Sequence, residues 1–388
     1  MFNPSPFGWV AQYFSGFFFA YGVYLPFWSV WFKEQGVSAT DIGLLVGIGL
    51  VTRCVANLLI TRVVHRVEHL LPALRWLSFA LLLFILFHLF AGGNFWMLAL
   101  ATVLVNLCLG PIIPLSDATA NHYAKLNLLD YGSARLWGSA AFVAGTVAVG
   151  QLVARYGAVM IVYTAMFGAL VCLLLSLRHP RHKPVTEVDD HGVRPKLLQV
   201  LREWPVVKFL ALTALIQGSH AAYYAFSAVY WKQAGYSEDI TSYLWGLAVV
   251  AELVVFAFSK RLFAGWSLRL LFTVAAVGVM LRWGIVASTT SLALLVLVQL
   301  LHGVTFATAH LAAVQYIQRA PTTKIVSLQA LYNAVALGAF TALMTMVSGW
   351  VYDSAGAGTM FWMMAVMGLL ALLIKVEAPQ SSLKTRVA

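Results

Sequence analysis

Asp117 lies inside a long apolar stretch, MLALATVLVNLCLGPIIPLSDATANHYA, and eighteen positions later Arg135 falls near the start of another, YGSARLWGSAAFVAGTVAVG. A carboxylate and a guanidinium in such surroundings have two uses. They neutralise each other as a buried structural pair, or they hold a charged ligand and exchange a proton. Charge at bilayer depth costs roughly 2.5 to 3.5 kcal/mol even on permissive insertion scales, which favours a working role. Glu252, Arg282, His302 and His310 are embedded in apolar sequence in the same way. An imidazole, with its ordinary pKa of about 6.5, suits proton exchange, although a histidine satisfied by packing is an equally ready reading of His302 and His310. Arg53 is read as structural.

These residues recur at helical spacing with other polar and aromatic groups. Asn106, Gly110, Asp117 and Asn121 share one face; Thr213, Gln217, His220, Tyr224, Ser227 and Trp231 share a second. Thr241, Trp245, Glu252 and Ser259 make a third, and Gln299, His302, Phe306 and His310 a fourth. Tyr13, Phe17, Tyr24 and Trp28 form an aromatic stripe that would serve a core or a lipid face as readily as a ligand. The substrate-binding set expected from these faces is Arg135, Asp117, Tyr24, Trp28, Tyr224, Arg282 and His302, and the proton-coupling set is Asp117, Glu252, His302 and His310. No HExxH, CxxC pair, Walker loop or GxSxG occurs, so an enzyme reading has no residues to use. Cys54, Cys108 and Cys172 have no metal-ligand spacing, and neither a metal nor a cofactor is expected.

The elements that position these groups follow from composition. With 61% hydrophobic and 10% charged residues over 388 positions, and a mean hydropathy of +0.83, the chain has too little polar surface for a water-soluble globule. Twelve apolar runs of about 18 residues or more are expected to span a membrane as helices. The first covers 8–32, the seventh 206–231, and the last two 326–350 and 359–375. Residues 1–6 lack a basic head, so no cleavable signal peptide is expected and the first run is itself the targeting signal.

All of the 25 Lys and Arg residues except Lys33, Arg53, Arg155, Lys232 and Arg282 fall in one alternating set of breaks and in the tail. That asymmetry predicts cytoplasmic termini, and it accounts for the +11 charge through topology and attraction to anionic lipid rather than nucleic acid. The long polar segment at 178–205 predicts a cytoplasmic linker between six-helix halves at 1–177 and 206–388. An internal repeat agrees. At an offset of 199, Tyr24, Phe27, Val30, Lys33, Gly36, Ser38 and Gly47 recur as Tyr223, Phe226, Val229, Lys232, Gly235, Ser237 and Gly246. At an offset of 193, Leu104, Leu107, Gly110 and Tyr123 recur as Leu297, Leu300, Gly303 and Tyr316, which pairs Asp117 with His310. Paired repeats of this kind characterise secondary transporters.

The opening FFFAYGVYLPFWSVWFKEQGVSATDIGLLVGI, the PLSD of the fourth run and the YGSARLWGS of the fifth resemble the major facilitator superfamily over essentially the whole chain. The resemblance is to the group that contains lactose permease and nucleoside/proton symporters and, within it, bacterial 3-phenylpropionate permeases. It implies an all-α polytopic membrane protein of twelve transmembrane helices in two pseudo-symmetric halves. In lactose permease an acidic residue and an arginine with this eighteen-residue spacing contact the sugar, and they match Asp117 and Arg135. Arg282 and His302 match positions of its charge network. Thr305 stands where that network has an acid, the eleventh run has no lysine, and ITRVVHRVEHLLP lacks the usual acidic and glycine positions.

A sugar site wants many hydrogen-bonding groups, whereas a compact aromatic acid needs a cation and an apolar slot. Arg135, Arg282 and the aromatic walls predict proton-coupled import of an aromatic monocarboxylate, of the 3-phenylpropionate or cinnamate type, by a monomer in the bacterial inner membrane. A nucleoside or oligosaccharide symporter is the alternative, with an integral membrane enzyme or a non-transporting sensor behind it.

Overall fold

The computed structural model describes residues 3–64, 66–184 and 197–376. Its elements are helices throughout: α1 (Pro6–Glu34), α2 (Ala39–Val63), α3 (Leu70–Phe87), α4 (Phe95–Lys125), α5 (Tyr131–Tyr156), α6 (Val159–Ser176), α7 (Leu197–Leu201), α8 (Trp204–Gly218), α9 (Ala221–Gln233), α10 (Glu238–Leu262), α11 (Leu268–Ser288), α12 (Leu292–His302), α13 (Thr308–Arg319), α14 (Thr322–Leu331) and α15 (Thr341–Leu373). Short π-helical segments, Gly303–Ala307 and Tyr332–Phe340, interrupt the later helices.

Local chemistry sets several of the starts. Ser5 accepts from the Gly8 amide and Pro6 follows at the first helical position of α1, where a missing N–H costs nothing. Ser38 caps α2 by accepting from the Asp41 amide at 3.0 Å, and its hydroxyl donates to the Asp41 carboxylate at 2.9 Å. Asp130 caps α5 by accepting from the Ser133 amide at 2.7 Å. Hydrogen bonds from the Ser133 hydroxyl and amide hold that carboxyl below its ordinary range. The cap is therefore complete above the ordinary carboxylate pKa and is lost as acid protonates it.

Among the described residues, nine segments are long and apolar enough to cross a membrane. α1 is 29 residues long and falls outside that set because its tyrosines, tryptophans and prolines score low on a hydropathy scale, although most of them are buried. The seventh run is interrupted at Ser219 and His220 into α8 and α9, of 15 and 13 residues. The segment Thr323–Leu373 counts once among the nine, yet Gly356, at φ 84°, breaks the helix between the eleventh and twelfth runs; a side chain there would be strained.

The chain divides into two compact units, Met1–Asp189 with Tyr224–Gly246, and Asp190–Tyr223 with Leu247–Ala388. In the first unit α1 packs along α5 and α6, α2 along α4, and α3 against α4 and α6. Glycine allows the closest crossings: a Cβ at Gly22 would lie 2.2 Å from the Phe142 carbonyl oxygen, and one at Gly145 would lie 2.3 Å from that of Phe19. Tyr224–Gly246 belongs to this unit through Ser242, whose side chain lies against Gly150, and through Gln151, which donates to the Tyr243 hydroxyl at 2.8 Å. Lys232 reaches Glu34 at 2.7 Å and Glu238 at 2.8 Å, but it is 41% exposed and water screens both pairs.

In the second unit α11 packs on α13 and α15, and α8 on α15 and the second π-helical segment. Only the ends of the predicted 178–205 linker are described. Its start is held to α1, where the Arg178 carbonyl accepts from Trp9 at 2.9 Å and the Arg178 guanidinium donates to Gln12 at 2.9 Å. Residues 185–196 and the predicted tail at 377–388 lie outside the described residues.

Candidate functional site

α4 carries two prolines, Pro111 and Pro114, before Asp117. Each removes a backbone donor from the helix. Asp117 is half-buried and accepts a hydrogen bond from the Tyr131 hydroxyl at 3.1 Å. Arg135 stands one turn beyond Tyr131 on α5, and its guanidinium lies over the Phe18 ring at 4.0 Å, with Phe14 at 5.7 Å. Gly138 leaves that space open, since a Cβ there would come within 2.7 Å of Phe18 and 3.0 Å of Arg135. Among the described residues no ion pair within 4.0 Å joins Asp117 to Arg135. The eighteen-residue spacing thus yields an acid held by a phenol and a cation laid on an aromatic ring, rather than a closed pair.

Tyr24 belongs to a neighbouring cluster. Its hydroxyl accepts from the Asn106 amide at 2.9 Å, and its ring lies 4.7 Å from that of Trp28. Trp28 is 2% exposed and donates its indole N–H to His88 at 3.3 Å, a buried contact within the first unit. Asn121, on the same predicted face as Asp117, lines a separate cavity of about 360 Å³ with Val64, Arg66, Pro114 and Lys125.

The second unit holds a denser network. Arg282 is 0% exposed. One guanidinium nitrogen meets His302 Nδ1 at 2.7 Å and the Thr305 hydroxyl at 3.2 Å, and another donates to the Gln299 side-chain oxygen at 3.3 Å. Arginine only donates, so His302 Nδ1 must accept, and the proton of the neutral ring sits on Nε2. That nitrogen faces Glu252 at 3.4 Å. A line from carboxylate through imidazole to guanidinium results, with its proton position fixed by the arginine.

Thr305 stands in the first π-helical segment, a feature frequent at functional sites. Its hydroxyl lies 3.0 Å from His220 Nε2. His220 Nδ1 faces the Ile216 carbonyl at 3.1 Å and so carries that ring's proton, which makes Thr305 the donor to Nε2. Thr305 thus joins Arg282 and His220 through a neutral hydroxyl, and the carboxylate of this network comes from α10. His310 meets the Tyr332 hydroxyl at 3.0 Å and stacks on Phe306 at 6.2 Å.

Several placements were outside sequence reasoning. Tyr131 is one helical turn before Arg135 in the quoted motif, and that i, i+4 spacing was the available signal. Two rings lie against Arg282, Trp283 at 4.3 Å and Tyr223 at 4.7 Å, whereas Tyr224, one residue and about 100° further round the helix, lies 6.0 Å from Trp245 in the first unit. Arg53 is joined to Tyr21 and Asn106 by hydrogen bonds of 2.9 and 2.5 Å.

Residues 10–363 match the profile of the MFS_1 like family. The chain is 42% identical over 376 residues to the probable 3-phenylpropionic acid transporter of Escherichia coli K12, covering 96% of this chain and 98% of that one. It is 25% identical to the maltose permease of Geobacillus stearothermophilus, over 94% and 93% of the two chains. The fold is similar to that of the nucleoside transporter NupG, with a TM-score of 0.77 at 13% identity over 95% of this chain and 97% of that one. A bacterial homologue of the lysosomal transporter Spinster gives 0.70 at 13% identity over 98% and 97%.

Proposed function

The chain belongs to the MFS_1 like family of major facilitator transporters, a multi-pass membrane transporter rather than an enzyme, and from that premise we propose that it imports an aromatic monocarboxylate of the 3-phenylpropionate or cinnamate type together with protons. The observation that carries this reading is Arg135, a cation laid on Phe18 with no described carboxylate within 4.0 Å. A guanidinium backed by an aromatic ring presents one group for a carboxylate and another for a phenyl ring. The name of the 42% identical relative supports the same substrate class.

In this reading Asp117, held by Tyr131, accepts a proton, and the Glu252–His302–Arg282 line carries the other titratable step. The chain crosses the bacterial inner membrane twelve times with both termini cytoplasmic, works as a monomer, and exposes its binding groups to each side in turn. Its partners are the aromatic acid, protons and membrane lipid.

The test is uptake of labelled 3-phenylpropionate into proteoliposomes under an inward proton gradient, with and without a protonophore. Accumulation that collapses with the protonophore is expected. Arg135→Ala should lower uptake at limiting substrate by at least about tenfold, since a hydrogen bond to a charged group contributes roughly 1.5–3 kcal/mol. Asp117→Asn should slow gradient-driven uptake. Unchanged uptake in both variants would sink the assignment, and competition by a nucleoside or a sugar but not by phenylpropionate would select the alternative substrate class.

A further inference from the structure

We propose that Arg53, on α2, is a second anion-binding residue that grips the carboxylate of the substrate. The proposal rests on the reading of the chain as an aromatic-acid transporter and adds to it a residue that neither the family motifs nor the sequence stripes supplied.

Arg53 stands fourteen residues from the start of α2 and ten from its end, which at 1.5 Å per residue is about 21 and 15 Å from the helix ends. Its charge is therefore at bilayer depth. Its Nε donates to the Asn106 side-chain oxygen at 2.5 Å and one terminal nitrogen donates to the Tyr21 hydroxyl at 2.9 Å. The Tyr21 and Tyr24 rings lie 5.2 and 5.5 Å from the guanidinium carbon. Each of these partners is neutral, and among the described residues no carboxylate lies within 4.0 Å of Arg53. Intramembrane charges generally pair with one another or serve a ligand. These partners orient the guanidinium without neutralising it.

The local backbone is shaped for this arrangement. A Cβ at Gly49 would come within 2.6 Å of the Asn106 amide nitrogen, and one at Gly110 within 2.6 Å of the Arg53 carbonyl oxygen. The two glycines clear the α2–α4 crossing, so that Asn106 and Arg53 meet.

The internal repeat sharpens the assignment. The offset of 193 that carries Gly110 onto Gly303 also carries Asn106 onto Gln299, and the offset of 199 carries Tyr24 onto Tyr223 and Arg53 onto Glu252. The second unit reproduces the crossing: a Cβ at Gly303 would lie 2.8 Å from the Ala251 carbonyl oxygen. It also reproduces an arginine held by the equivalent amide oxygen over the equivalent tyrosine, since Gln299 accepts from Arg282 at 3.3 Å and Tyr223 lies 4.7 Å beneath it. There the position equivalent to Arg53 is Glu252, and the network has its own acid, linked through His302 at 3.4 Å. In the first unit the same position bears the cation, and the compensating carboxylate is the substrate's. One repeated frame thus holds a proton acceptor in one copy and an anion receptor in the other.

The test compares uptake of labelled 3-phenylpropionate by wild type, Arg53→Gln and Arg53→Lys in proteoliposomes, with unlabelled 3-phenylpropionate and 3-phenylpropanamide as competitors. Wild type should prefer the acid to the amide. Arg53→Gln should weaken the acid at least about tenfold, equal to about 1.4 kcal/mol, while competition by the amide stays at its wild-type value. Retained amide binding is the readout a structural role would not give. Arg53→Lys keeps the charge but loses the planar fork and should raise KM several-fold in a protein with wild-type melting temperature; it decides the matter if Arg53→Gln does not fold. A wild-type acid-to-amide preference in either folded variant, or an equal loss of acid and amide with a lowered melting temperature, would overturn the role of Arg53. Failure of the wild type itself to take up any aromatic acid would overturn the functional reading, and this assignment with it.

Discussion

Glu252→Gln is expected to produce a transporter that exchanges its substrate across the membrane and no longer accumulates it. The reason lies in how the proton is held. Arg282 donates to His302 Nδ1 at 2.7 Å, which leaves the imidazole's single proton on Nε2, facing the Glu252 carboxylate at 3.4 Å. A glutamine is the same size, and its amide oxygen accepts from that N–H as the carboxylate does, so the packing around Arg282 is retained. What the amide lacks is a titratable group. Under an inward proton gradient the variant should bring the substrate only to equal concentrations inside and out. Its exchange of internal unlabelled for external labelled substrate should stay within about threefold of wild type, less than about 1 kcal/mol on the activation barrier. Uphill accumulation by Glu252→Gln at the wild-type level would remove Glu252 from the coupling step, and loss of exchange as well as accumulation would make it a binding or structural residue.

His302 and Glu252 illustrate how far the sequence could be read. The stripes at helical spacing placed Glu252 on one helix and His302 on another, and both were legible as embedded polar residues. Their meeting was not, because the two stand on different helices, α10 and α12, and no spacing along the chain says that they come within 3.4 Å; the π-helical turn at Gly303–Ala307 alters the register only of the residues that follow His302. Thr305 lies in that turn and enters the network as a hydroxyl between His220 and Arg282. The different surroundings of Tyr223 and Tyr224 were not legible for a similar reason: adjacent residues differ by about 100° around a helix, and the interruption at Ser219 and His220 makes a phase carried over from the start of the seventh run unreliable. Arg53 was legible as a charge, but what separates a structural arginine from a binding one is the nature of its partners, and these come from α1 and α4.

The membrane runs themselves were the most legible feature, because a span of apolar residues is a property of composition alone. α1 shows where that signal weakens. Its aromatic residues bury as well as leucine does but count for less on a hydropathy scale, so the helix that carries Phe18, Tyr21 and Tyr24 is absent from the nine candidate spans.

That same helix is the subject of the second large effect. Gly145→Val is expected to destabilise the folded protein by about 3 kcal/mol or more, the upper range for forcing extra methyl groups into a packed interior, and to lower uptake in proportion to the protein lost. A Cβ at Gly145 would lie 2.3 Å from the Phe19 carbonyl oxygen and 3.0 Å from its carbonyl carbon, so the obstacle is main chain, which no rotamer change relieves. The crossing is tied one residue further on, where the Thr146 hydroxyl donates to the Gly22 carbonyl at 2.7 Å. In a bilayer, where lipid is as apolar as leucine, helices associate through such close approaches of small residues, and there is no compensating hydrophobic gain to draw on. Moving α5 away from α1 also separates Arg135 from Phe18, so binding and stability should fall together. Arg135→Ala makes the opposite case: it removes a half-buried side chain without touching the backbone, and should lose substrate affinity at a wild-type melting temperature. The pair of variants, followed by thermal unfolding in detergent and by uptake in proteoliposomes, separates the scaffold from the site it carries. A wild-type melting temperature for Gly145→Val would show that the α1–α5 contact yields more easily than its backbone distances allow. An equal fall in melting temperature for Arg135→Ala would show that the arginine holds the fold rather than a ligand.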